Sequence, residues 1–182
     1  MIVSAFSLVQ AQGKLVITGN VISYGTRAYT GLRTGNFTLT IDQWTSNADA
    51  QRNLAILQEG GQERLLDAIR KLDVGNFSIN NSLARDINVA VRTDSGGNVK
   101  IYAAFERWEQ FAEVRGGYRS LDYPFGYIEL TIDPRTGKGS GQYFAAPKIS
   151  WKNDKKIGYH VEVEDYATYP AKLQNVKIEG PR

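Results

Sequence analysis

The sequence predicts an α+β domain, predominantly antiparallel β, in which about eight strands form a barrel or sandwich and one helical hairpin is inserted. Three observations carry this. Apolar and polar residues alternate with period two in several runs, most cleanly at NFTLTIDQ (36–43) and YIELTI (127–132). Turn chemistry separates neighbouring runs, as in Asp94-Ser95-Gly96-Gly97-Asn98 and Asp133-Pro134-Arg135-Thr136-Gly137. Between Ser46 and Leu72 the apolar spacing changes to three and four, which is the helical period.

In chain order, residues 1–13 read MIVSAFSLVQAQG, an uncharged apolar stretch that turns polar at Gln12. Val9-Gln10-Ala11 puts short side chains at the two positions a signal peptidase inspects, so residues 1–11 read as a signal-peptide remnant cut after Ala11. There is no basic start and the apolar stretch is short; a first strand built on Ile2, Val3 and Phe6 is the competing reading. Residues 12–182 then form a single β-rich domain, exported to a periplasmic or extracellular space.

Residues 14–24 read as a strand pair or one bent strand, broken at Gly19-Asn20, and residues 25–35 as a loop or an irregular edge hairpin. Ser46 followed by Asp49 starts a helix over about 47–58, and a second follows over about 62–72. Gly60-Gly61 between them is a helix-ending signal, and so short a link predicts an antiparallel pair. Strands are expected at Phe77–Ile79, Ile87–Val91, Val99–Ala103, Tyr127–Ile132, Gln142–Trp151, Ile157–Glu164 and Leu173–Ile178. Phe105–Val114 fits either one helical turn or an irregular segment.

Composition narrows the chemistry. The chain has 182 residues, 42% of them hydrophobic, enough to build a core without a disulfide or metal. Cysteine is absent, which excludes thiol catalysis, cysteine-bound zinc and disulfides. The net charge of +3 comes from scattered Lys and Arg. No basic stripe or nucleic-acid motif stands out, so no nucleic-acid partner is expected. No run of ~18 apolar residues could span a membrane as a helix.

His160 is the only histidine. Alternation puts it on one strand face with Glu162 and Glu164, but neighbouring steps on a face lie ~7 Å apart, wide for one ion. The row reads as a solvent-facing strand face, and neither a metal nor a cofactor is expected. No G-x-S-x-G elbow accompanies the histidine, and Lys138-Gly139-Ser140-Gly141 lacks the end of a phosphate-binding loop.

The richest segment runs from Arg107 to Tyr127. Its aromatic faces and planar hydrogen-bonding groups suit a small molecule, glycan or peptide. The candidate ligand-binding set is Trp44, Arg107, Trp108, Arg119, Asp122, Tyr123 and Phe125. The competing reading packs these aromatics under the helices. No catalytic residue is assigned, and the sequence favours a non-catalytic binding module. Two alternatives are a hydrolase using carboxylates such as Glu109, Asp122 or Glu129, and a surface-assembly protein that self-associates through strand edges.

Several stretches also carry a resemblance: Ile41-Asp42-Gln43-Trp44-Thr45-Ser46, Gly60-Gly61-Gln62, the Leu65-Leu66, Leu72 and Val74-Gly75 run, and Leu121-Asp122-Tyr123-Pro124-Phe125 with Ile128-Glu129-Leu130. From about Gly35 to Ile178 the chain is similar to a family of uncharacterised exported bacterial proteins. The resemblance implies export and a shared architecture; it implies no activity.

Overall fold

The structure, a computed structural model, describes residues 14–23, 32–107, 119–155, 158–166 and 169–179. The segment read as a signal remnant lies outside these, as do Trp108 and Glu109. The first strands are β1 (Leu15–Ser23) and β2 (Arg33–Ile41), followed by helix α1 (Asn47–Ile69). Then come β3 (Gly75–Ile79), β4 (Arg85–Ile87), β5 (Val89–Ser95) and β6 (Asn98–Glu106). A 3-10 turn at Arg119–Asp122 leads into β7 (Phe125–Asp133), β8 (Lys138–Phe144), β9 (Pro147–Asp154), β10 (Gly158–Asp165) and β11 (Ala171–Glu179).

Nine strands form one sheet in the order β4-β3-β2-β1-β11-β8-β7-β6-β5, and β9 and β10 form a separate ribbon. Every pairing is antiparallel. The sheet curls into a nearly closed barrel. Its two edges, β4 and β5, follow one another in the chain with only Asn88 between them. Antiparallel alternation around the sheet gives them the same sense. They act as one bent stave whose first part pairs with β3 and whose second part pairs with β6.

Asn88 is the joint. It is 3% exposed, so each of its polar groups needs a partner. Its backbone N–H donates to the Ala104 carbonyl at 3.1 Å. Its amide nitrogen donates to the Leu72 carbonyl at 2.7 Å, and its amide oxygen accepts from the Glu106 N–H at 2.8 Å. One side chain thus ties the chain leaving α1 to the end of β6.

The barrel interior is filled by the inward rows of the strands. Ile17, Leu39, Ile87, Ile101, Ile128, Leu130, Ile132 and Leu173 are all within 1% of full burial. β8 turns Gly139, Gly141 and Tyr143 inward, and an added Cβ at Gly141 would meet the Glu129 carbonyl oxygen at 2.0 Å. Glycine there lets neighbouring strands approach closely. Phe37, Phe77, Phe105 and Tyr143 form an aromatic layer, with Phe77 and Tyr143 ring centroids 5.0 Å apart.

A second core lies outside the barrel. Leu57, Leu65, Leu66 and Ile69 of α1 pack with Phe125 and Ile149, and Trp151 and Val89 border them. Helix and ribbon therefore share one apolar layer against the barrel wall.

The expected helical hairpin is not what forms. Among the described residues there is one α-helical element, capped by Ser46 and broken at Gly61, whose φ of 71° and ψ of −172° are non-helical. The glycine pair does interrupt the helix, as its chemistry dictates. Reversing direction takes a loop of about two to five residues, and no such loop is present. The expected strand over 142–151 is likewise two strands, β8 and β9, belonging to different sheets. Pro147 opens β9 and could not have donated within a continuous ladder.

Candidate functional site

The inward rows end together at one end of the barrel. On β2 the row Ile41, Leu39, Phe37, Gly35 finishes at Arg33. On β4 it runs from Ile87 to Arg85, whose register partner is the inward Phe77. Arg107 follows directly on the end of β6, after the inward Phe105. On β8 the row finishes at Tyr143, in register with Ile128. Two staves, β2 and β4, thus end their inward rows in arginine at the same end of the barrel.

A bowl of about 300 Å³ occupies this end. Val21, Ile79, Tyr143, Ala145, Tyr169 and Ala171 supply apolar wall, and Ser23, Arg33, Thr34, Asn80 and Asp165 supply polar groups. Burial raises the Tyr143 hydroxyl above the usual phenol range; Arg85 and Arg107 oppose that rise and Asp165 adds to it. Those three charged groups are therefore within electrostatic reach of one phenol. Burial in turn lowers Arg85, with Tyr143 acting against it. One terminal nitrogen of Arg85 and both carboxylate oxygens of Asp165 are shielded from solvent. Arg33, Arg85, Arg107 and Asp165 each have partners of their own.

None of the described sequence-derived candidates lines the bowl, and Trp108 lies outside the described residues. Arg107 comes nearest, within electrostatic reach of Tyr143; its Nε donates to the Tyr123 carbonyl at 2.5 Å and its N–H to the Pro124 carbonyl at 2.9 Å. Tyr123 is 4% exposed, donates its hydroxyl to Glu164 at 2.8 Å and packs on the Tyr166 ring at 5.2 Å. Phe125 is fully buried in the outer core. Asp122 is exposed, and its carbonyl accepts from Gln62 at 2.9 Å. Arg119 belongs to the 3-10 turn before β7. Trp44 packs against the barrel core beyond Ile41, the end of β2 opposite Arg33 and ~26 Å from it along the strand. The aromatic segment that follows Arg107 thus supplies packing and clamps at Tyr123 and Phe125.

Of the carboxylates named for hydrolysis, Asp122 and Glu129 do not line the bowl, and Glu109 lies outside the described residues. Glu129 lies on the outward face of β7, opposite Gln142. The His160 row is occupied by local partners. His160 Nδ1 lies 3.0 Å from the Gly158 carbonyl, Glu162 is 3.6 Å from the Lys152 ammonium, and Glu164 holds Tyr123. Among the described residues no cluster of three or more metal-ligating side chains occurs. Among them, too, no helix is long and apolar enough to cross a membrane.

Sequence reasoning missed the bowl because its residues are scattered from Val21 to Ala171. A signal was available: arginine continuing an inward row, at positions 33 and 85. Using it requires knowing which rows share an end. Family models, curated proteins and solved structures were each searched, and none matches this chain.

Proposed function

We propose that the chain is a non-catalytic binding module whose ligand seats in the bowl at the arginine-bearing end of the barrel. One observation carries the reading. The inward residues of the barrel strands are buried along its length, and where their rows end the walls enclose an apolar-walled concavity with polar groups at the edge. Cavities that hold small molecules share that design, and this volume is at the lower end of their range of about 300–1,000 Å³. The reading includes export, supported by the pattern of residues 1–11 and by the family resemblance.

The experiment is native mass spectrometry of protein purified from its own host without detergent, with Ala145→Trp as a comparison. Ala145 is exposed on the bowl's wall, so an indole there fills the space without disturbing the barrel core. The expected result is a small-molecule adduct on the parent chain that is missing from the tryptophan variant. An adduct that survives the substitution, or two ligand-free proteins, overturns the reading.

A further inference from the structure

The two edges of the β9–β10 ribbon differ, and we infer that its open edge, on β10, pairs antiparallel with the same edge of a second copy of this chain. The outer edge of β9 is covered: the Ile149 N–H donates to the Gln62 side chain of α1 at 3.3 Å. Beyond β10 no strand lies among the described residues. The ladder itself fixes which groups face the open side. The Tyr166 N–H donates to the Ala146 carbonyl at 2.9 Å, one step past the pair Asp165 and Pro147. In an antiparallel ladder alternate residues turn their N–H and C=O groups toward the partner strand. The even-numbered residues of β10 therefore face β9, and the backbone groups of Tyr159, Val161 and Val163 face outward.

Side chains argue for the same occupant. β10 runs eight residues in unbroken register and holds neither proline nor lysine, the residues that commonly guard an edge. His160, Glu162 and Glu164 share one face, and Tyr159, Val161 and Val163 share the other. Toward Ile149 the apolar face of the ribbon is buried with α1. Toward the tip it runs out into solvent, with Val161 38% and Tyr159 66% exposed and the Tyr159 ring stacked on Trp151 at 6.1 Å. Self-pairing about a symmetry axis must join odd positions to odd ones, so few registers exist. Centred on Val161, Tyr159 meets Val163 of the second copy and Val161 meets its own equivalent. On the other face His160 meets Glu162 of the second copy on each side of the axis, a basic ring against a carboxylate. The Lys152 ammonium, 3.6 Å from Glu162 within the chain, stays where it is. Centring on Glu162 would set that carboxylate against itself, which destabilises, and centring on His160 would lose both His160–Glu162 contacts. The strand is thus complementary to itself in one register. A single added ladder is a small interface, so the dimer is weak and reversible. It requires no ligand in the bowl.

Sedimentation velocity of the whole chain over a wide concentration range tests this. The expected behaviour is a reversible monomer–dimer equilibrium with nothing larger. Val161→Lys sets like charges against each other at the axis and, at an exposed position, leaves the ribbon folded. It should weaken dimerisation by about ten-fold or more with an unchanged circular dichroism spectrum. His160→Glu should weaken it several-fold, and adding Glu162→Lys should restore it, because the two changes together rebuild opposite charges in the register centred on Val161. A chain that stays monomeric throughout, a dimer that Val161→Lys leaves intact, or an assembly that grows past two copies overturns the inference. So does a double variant that dimerises no better than His160→Glu. If the lysine variant does not fold, the charge-swap pair alone decides.

Discussion

Asn88 concentrates more consequence in one side chain than any other residue described. Its amide satisfies a carbonyl after α1 and an N–H on β6, both at a joint that excludes water. Asn88→Ala would leave those groups buried without partners, and each such group costs about 1–3 kcal/mol. The expected loss is about 2–4 kcal/mol in urea unfolding; a change under about 0.5 kcal/mol would mean that the joint does not depend on the side chain. Two tyrosines make a second prediction at this scale. Burial raises Tyr143 and Tyr127, Tyr127 with help from Glu129 and Tyr102. The unfolded phenol loses its proton near pH ~10, while the folded ones hold theirs. The unfolded state therefore binds fewer protons above that pH, and stability is full below it and falls as pH climbs toward the folded values. Tyr143→Phe and Tyr127→Phe should each shift alkaline unfolding to higher pH, read by circular dichroism alongside phenolate absorbance.

At the scale of elements, α1 shows how much local chemistry fixes. Ser46 accepts from the Asp49 N–H at 3.1 Å, and Asp49 is held below the usual carboxylate range by Ser46 and Arg52. That start was legible because capping is a short-range matter of residue type. The break was legible too, but not its consequence: glycine permits a change of direction without dictating how large it is. The two glycines should respond unequally to alanine. Gly61 has positive φ, and a side chain there is strained even though nothing stands near it. Gly61→Ala should destabilise by about 1–3 kcal/mol. At Gly60 the new Cβ would meet Arg64 at Cδ (2.1 Å) and also at its backbone-fixed Cβ (2.9 Å); the chain end can swing away and helix propensity offsets part of the remainder, so Gly60→Ala should cost less than about 1 kcal/mol. Thermal unfolding of the two variants checks the pair; equal effects would mean that the break is not held at Gly61.

For the whole molecule, alternation identified most barrel strands because one face is packed and the other is not. It did not reveal which strands are neighbours at the seam, since β4 and β5 meet across a long circuit of the sheet. The candidate site was less legible for the same reason. Aromatic density drew attention to the segment after Arg107, where Tyr123 and Phe125 prove to be packing groups, while the bowl is assembled from single residues of many strands. Architecture also predicts a hierarchy of stability. β7 is paired on both sides within the barrel, whereas β10 is paired with β9 alone among the described residues. Amide exchange should therefore be faster in β10 than in β7 by at least ten-fold. Equal protection would show that ribbon and barrel open as one unit.

The bent stave through Asn88 has a further consequence, which is a matter of counting. Inward residues on it are Arg85, Ile87 and Ala90, so the alternation holds only if position 88 is skipped. Asn88 is one residue more than the two-residue repeat needs, the signature of a bulge. A deletion there would leave every inward side chain on its present face while erasing the bend that lets the stave change neighbours. A single-residue insertion beside it also makes the step from Ile87 to Ala90 an even one, so regular alternation again keeps both inward. The inward pattern survives the loss or the gain of one letter at that point; what either change removes is the bend.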